Sequence, residues 1–422
     1  MIRRRDFLAA SAGALSFPFI QPSRAADSKR VPRVAFLGTS VYRHSHAQHF
    51  LDRMNLGYTW GGRWQAPRVK VAGVYLEQFP MGRDLGKQRI EKYGLRSFPS
   101  IAEALTLGGN KLAVDGVVII AEHGDYPKND MGQKLYPRYR WFKEVVKVFE
   151  DSGRSVPVFN DKHLSTDWDE CVEMVADSHR LDFAFLAGSS LPVTWRHPSI
   201  DMPYAADLQE SVCVAYGGMD SYDIHALETA QCMSERRRGG EVGIKSVHAV
   251  RGEKVWEILD RDERKVTREL AVSAMTRSHS YPVEGGFPVA KINYDWLRRT
   301  NPQPLAYFIE HRDGFRTTML MARISDFNYA GRLRNGKTVS CQMYLPMPGR
   351  GSSMADFFNP LTRHVEDTMI RRRAPYPVER TLLTSGMVIG GVKSLHAGQV
   401  PIATPKMKVK YQAPRASTYW RI

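Results

Sequence analysis

Three short, almost uninterrupted apolar runs constrain this chain most: residues 33–37 (RVAFL), 69–76 (VKVAGVYL) and 114–121 (VDGVVIIA). A strand with one face in water alternates apolar and polar residues, whereas one covered by helices on both faces does not. The stretches between the runs carry helical spacing at 45–54, 100–107 and 139–150, while 57–67, rich in Gly and Trp, reads as a loop insertion. Two more short strands are expected at 156–159 and 183–186. Strands separated by helices require crossover connections, so this half is expected to be a doubly wound parallel sheet. Thr166 with Asp169 three residues on has capping-box spacing, and Trp168, Cys171, Val172 and Val175 share one face of the helix that follows.

The texture changes near residue 242. Strands are expected at 243–250, 317–321 and 338–344, followed by a helix-rich stretch after 354. The fold class is therefore α/β: a Rossmann-type doubly wound parallel sheet, then an α+β domain whose open, mainly antiparallel sheet carries helices on one face. A chain of 422 residues exceeds what one core usually serves. The expected division is 32–165, 166–410 and an irregular surface tail at 411–422. The ERRR run at 235–238 reads as a solvated turn. Cys171, Cys213, Cys232 and Cys341 lack metal-type spacing and read as buried free thiols.

The first residues, MIRRRDFLAASAGALSFPFIQPSRAAD, place three arginines before a short apolar run and then small residues. That order is expected of a cleavable export signal over residues 1–26. The run is too short to cross a hydrocarbon core of about 30 Å, which takes roughly 20 apolar residues, so the chain is not expected to be membrane-embedded. The arginines followed by Phe-Leu resemble the twin-arginine signal. That resemblance implies the twin-arginine translocase as a partner during export, a periplasmic or exported location, and transport in the folded state. The formal charge of +16 favours anionic small-molecule partners. It is spread along the chain rather than gathered in one stripe, which disfavours nucleic acid.

Several separated stretches resemble the Gfo/Idh/MocA oxidoreductases: 92–105 (KYGLRSFPSIAEAL), 114–120, 154–164 (RSVPVFNDKHL), 217–228 (GGMDSYDIHALE) and 376–405. The resemblance implies a carbohydrate or polyol substrate, a tightly held NAD(P), and homo-oligomers built through the open sheet. It also implies catalytic roles for Lys162 and His225, with Asp223 and His163 beside them. Dinucleotide contacts would fall on Gly38, Ser40 and Arg43 in the first turn, on Glu77 after the second strand, and on Glu122 and His123 after the third. The departures are specific. Of the three fingerprint glycines only Gly38 remains, with Ser40 and Arg43 at the other two positions, Asp161 and His163 flank the lysine, and Ser221 stands where the family has an Asp.

Parallel sheets bind ligands beyond the C-terminal ends of their strands. Polar residues collect at those ends here: His44 and His46, then Glu122, His123 and Asp125, then Asp161, Lys162 and His163. Such a set suits proton transfer, because imidazole titrates near neutrality and a buried lysine is tunable. The His and carboxylate spacing matches no known metal site, so no metal is expected, and His46 and His49 read as helix-surface or core histidines. Trp195, Arg196 and His197 are expected in a loop beside the cleft, Trp195 stacking on a sugar face and Arg196 meeting a carboxylate or phosphate. Three functions fit: an NAD(P)-dependent oxidoreductase on a carbohydrate or polyol; a cofactor-independent or metal-assisted lyase, hydrolase or epimerase; and a non-catalytic sugar- or anion-binding protein.

Overall fold

The central strand of the first sheet, Gly116–Ile120, is buried at every position, as a parallel strand covered on both faces must be. The computed structural model describes residues 30–288, 290–346 and 354–420. The expected export signal and the last two residues of the tail lie outside these. In chain order the first half comprises β1 (Arg33–Gly38), α1 (His46–Leu56), a small hairpin of β2 (Tyr58–Trp60) and β3 (Arg63–Gln65), and β4 (Lys70–Leu76). There follow α2 (Gly86–Lys92), α3 (Ile101–Thr106), β5 (Gly116–Ile120), α4 (Arg138–Ser152), β6 (Val158–Asp161), α5 (Trp168–Arg180) and β7 (Phe185–Gly188). The parallel sheet runs β4-β1-β5-β6-β7. A single parallel bridge between Val74 and Ser97 extends it beyond β4.

Three local expectations are corrected. The stretch at 57–67 is not merely a loop, because β2 and β3 pair there. Helix α5 is capped by Asp167, whose carboxylate accepts from the backbone N–H groups of Asp169 and Glu170, so the cap is one residue later than Thr166. Val172, expected on the buried face, is 40% exposed.

The second half comprises β8 (Arg196–His197), β9 (Leu208–Ala215), α6 (Asp223–Ser234), β10 (Ile244–Arg251), α7 (Glu253–Leu259), α8 (Lys265–Met275) and α9 (Tyr294–Thr300). It continues with β11 (Leu305–His311), β12 (Arg316–Met321), β13 (Phe327–Leu333), β14 (Thr338–Met343), α10 (Phe358–Arg371), α11 (Glu379–His396) and β15 (Ile402–Ala403). Its eight-stranded sheet runs β15-β10-β11-β12-β9-β13-β14-β8, antiparallel except where β12 meets β9. Helices cover both faces rather than the one expected. Cys213, Tyr307 and Met319 join the main core, whereas Val212, Val214, Phe308 and Leu320 face the other way into a second core with Trp256, Leu270 and Trp296 of α7, α8 and α9. The strands are apolar on both sides, so water on either face would be costly.

The parallel sheet continues to Gly188, past the expected boundary at residue 165, because β7 pairs in register with β6. Pro32–Ile422 form one compact unit. Most of the ERRR run is not solvated: Glu235, Arg236 and Arg237 are buried, and Arg238 alone of the four is exposed. Arg380 grips Glu235 through two nitrogens, one at 2.9 Å, and Arg237 pairs with Glu241 at 3.0 Å. Charge burial of this kind is tolerated only with such pairing. The tail likewise enters the core, where Tyr411 donates to Glu235 at 2.9 Å. All four cysteines are free and buried.

Candidate active site

The site forms where the turns after β1, β5 and β6 meet the segment before α6. Its first component is the turn of residues 39–45 that joins β1 to α1. Ser45 caps α1, its hydroxyl accepting from the N–H groups of Gln48 and Tyr42. The Gln48 side chain accepts the N–H of His44 at 2.7 Å. At its other end the turn is stitched to the segment after β4. Backbone bonds run from Glu77 to Gly38, Gln78 to Thr39 and Leu85 to Val41. Gly38 is closely packed, since a Cβ there would lie 2.9 Å from Leu76, 3.1 Å from Phe36 and 3.5 Å from the Cβ of Ala47.

Lys162 comes from the end of β6. Its N–H bonds to the carbonyl of Gly188 at 3.2 Å and its φ is 65°, a left-handed conformation that carries the side chain off the strand line. Its Nζ lies 2.8 Å from Glu122 Oε1, while Arg138 holds Glu122 Oε2 at 2.5 Å. Burial opposes ionisation of Glu122, but Lys162 and then Arg138 outweigh it and hold the carboxyl well below the usual range. With both cations bound to an ionised carboxylate, Lys162 is a charged donor. His44 and His123 are also left-handed, at φ 68° and 71°. Backbone strain of about 1–3 kcal/mol per residue clusters at functional sites.

These groups wall a cavity of about 270 Å³ with His225, Tyr136, Tyr222 and Phe358 among its lining. Three of the histidines around it are kept neutral by desolvation: His49 is pushed down to about 2, His123 to about 3, and His225 well below the ordinary imidazole value. Two of them retain a buried ring nitrogen without a partner among the described residues, His123 Nε2 and His225 Nδ1. Buried polar atoms are nearly always satisfied, so unpaired ones on a cavity wall point to a polar ligand. His46 Nδ1 lies 2.6 Å from Asp161 Oδ2, and the ring lines the same cavity.

The structure brings Lys162, His225, Glu122 and His123 together and separates other expected site residues from them. Asp223 is fully buried at the start of α6, accepting from the N–H groups of Asp220, Ser221 and Ile224 and from Tyr307. His163 lies behind the wall, 3.1 Å from Arg138. Ser40 is buried in the turn and Arg43 is exposed. Glu77 is taken by Arg140 at 2.5 Å and by the hydroxyl of Tyr126. Trp195 packs on Trp60 and Tyr344, Arg196 pairs with Asp201 at 2.7 Å, and His197 is exposed. None of these three lines the cavity, although Ser190 and Leu191 just before them do. Arg138, Tyr136 and Phe358 were not anticipated. Helical periodicity marks apolar faces and gives no sign of a buried, ion-paired arginine at a helix start.

Among the described residues no three His, Cys, Asp or Glu side chains gather as a metal site would need. No helix among them is long and apolar enough to cross a membrane. The first turn does not fit a dinucleotide in the Rossmann manner. Of the donors about the start of α1, where a pyrophosphate would sit, the N–H of Gln48 is met by Ser45 and that of His44 by the Gln48 side chain, and the acid that would hold a ribose is bound by Arg140.

No family model and no curated protein matches the sequence. Solved structures do match the fold. GenD2 from gentamicin A biosynthesis, in complex with NAD, is 12% identical with a TM-score of 0.52, covering 90% of this chain and 99% of its own. The myo-inositol dehydrogenase of Lactobacillus casei, in complex with NAD(H) and myo-inositol, is 9% identical with a TM-score of 0.52 over 89% and 97%. The scyllo-inositol dehydrogenase of the same organism, with bound NAD(H) and scyllo-inositol, is 8% identical with a TM-score of 0.53 over 89% and 99%. The chain therefore has the fold of the Gfo/Idh/MocA-type NAD-dependent dehydrogenases.

Proposed function

We propose that this chain is an exported enzyme on the sugar and polyol dehydrogenase scaffold that transfers protons on a polyhydroxylated, carbonyl-bearing substrate. One observation carries the reading. A charged Lys162 and neutral imidazoles with unsatisfied nitrogens, His123 and His225, line one cavity of about 270 Å³. That is near the lower end of the about 300–1,000 Å³ of ligand sites and suits a single sugar ring. Lys162 donates to the substrate oxygen and stabilises negative charge there, held in place by Glu122. His225, neutral and desolvated, accepts a proton from the adjacent carbon. The outcome is epimerisation or elimination.

A second reading is NAD(P)-dependent oxidation of a carbohydrate or polyol hydroxyl by the same residues. It is favoured by the NAD and NAD(H) complexes of the structural neighbours, whose folds this chain follows over about nine-tenths of its length. The residues of the first turn speak against it.

The test is deuterium incorporation from D₂O into a panel of keto sugars and aldonic acids, followed by NMR. Exchange beside the carbonyl by the native protein, lost in Lys162→Met, is expected. Exchange that survives Lys162→Met would overturn the assignment. Residues 1–26 make export through the twin-arginine route part of the proposal, checked by fractionating cells that carry Arg3→Lys and Arg4→Lys.

A further inference from the structure

His46 is the first residue of α1, in the turn where the fold's dinucleotide site would lie. Its Nδ1 lies 2.6 Å from Asp161 Oδ2, a carboxylate with no exposed side-chain surface at the end of β6. The ring itself is 15% exposed and lines the cavity. Its edge meets His123 at 5.2 Å and Phe358 at 5.1 Å between ring centroids, which fixes its plane. Among the described residues it is the one cavity-lining histidine with a carboxylate partner. A proton on Nδ1 donated to Asp161 leaves Nε2 as the free ring nitrogen of a side chain that lines the cavity. A histidine oriented by a buried carboxylate is the arrangement that makes imidazole an effective proton carrier.

We propose that His46 and Asp161 form an acid–base dyad, acting on the substrate from the parallel-sheet wall while His225 acts from the α6 wall. This deepens the reading of the cavity as a proton-transfer site and rests on it. Neutral His225 takes the proton from the carbon beside the carbonyl, and the C–H electron pair becomes the enediolate double bond. The carbonyl π pair moves to the oxygen held by Lys162. His46, its Nδ1–H kept on Asp161 and its Nε2 having taken a proton from water, then delivers that Nε2 proton to the same carbon; the carbonyl re-forms and His225 releases its proton to water. One proton leaves and one arrives, so no oxidant or co-reactant is consumed, and delivery from the second wall inverts the carbon. His46 touches substrate in this scheme, while Asp161 is a positioning residue. The turn has thus exchanged a phosphate cradle for a proton donor.

The experiment uses the full mature chain and two readouts. The first is the ¹⁵N spectrum of its histidine rings, with His46 assigned by His46→Gln. The proposal expects the Nδ1–H form with Nε2 exchanging with water, and a shift of tautomer in Asp161→Asn with the fold unchanged by circular dichroism. The second is the deuterium assay above. His46→Gln should lower inversion of the carbon by about 10²–10⁴-fold, the usual share of a general acid or base, while exchange through His225 persists. A resting neutral His46 ring with its proton on Nε2 and none on Nδ1, or inversion unaltered in His46→Gln, would overturn the dyad. Should native protein be silent on every substrate, the proton-transfer reading fails. The spectrum still decides whether the dyad exists, the Nδ1–H form upholding it and the Nε2–H form removing it.

Discussion

Replacing Glu122 by Gln removes the one anion shared by Lys162 and Arg138, whose side chains are only 6% and 2% exposed. Breaking a buried pair by deleting one partner costs about 3–5 kcal/mol, because a desolvated charge is left uncompensated. With an unfolding entropy of about 2.1 cal/mol/K per residue over roughly 390 residues, that loss lowers the melting temperature by about 4–6 °C. The pH dependence adds a second check. Folding holds the Glu122 carboxyl well below its ordinary range, so its pairing stabilises fully above the unfolded value. The stabilisation is lost as pH falls from about 4.3 through the depressed folded value. Melts followed by circular dichroism should therefore show the full gap between native and Glu122→Gln at pH 7, narrowing below about pH 4. Equal melting temperatures at pH 7, or a gap that persists unchanged into acid, would refute the buried triad as the site's framework.

Other consequences follow from the same geometry. His49, His123, His163 and His225 stay neutral in the fold because burial lowers their pKa, whereas the unfolded chain protonates them near 6.5. Each should cost about 1 kcal/mol of stability between pH 7 and 5.5, and urea titrations showing a flat profile there would contradict this. Gly188→Ala should give a chain that folds poorly, since φ is +121° and the new Cβ would sit 2.5 Å from Glu228 Oε1; soluble protein with a native melt would disprove it. Glu235→Gln strands the fully buried Arg380 and should cost about 3–5 kcal/mol in denaturant melts, against no loss if the pair is incidental.

The parallel half was legible because buried strands advertise themselves: 114–121 contains β5 and 69–76 contains β4. Lys162 and His225, singled out by the family resemblance, line one cavity. What could not be read is instructive. Apolar residues on both sides of β9 and β12 call for cover on both faces, but the strands do not say that α7, α8 and α9 supply it. The ERRR run looked solvated because two of its partners, Arg380 and Asp313, are distant in sequence. His46 was read as a core or surface histidine for the same reason, since Asp161 lies 115 residues away. Trp195 and Arg196 carry binding chemistry by residue type, yet they spend it on Tyr344 and Asp201.

The central claim is that the cavity moves protons without a dinucleotide, and nucleotide dependence tests it most directly. Mature protein freed of nucleotide by unfolding and refolding over charcoal is assayed for substrate C–H exchange in D₂O, with and without added NAD(P). Equal exchange in both samples is the result expected here. Exchange that appears only when NAD(P) is restored would contradict the account and make the chain a working dehydrogenase.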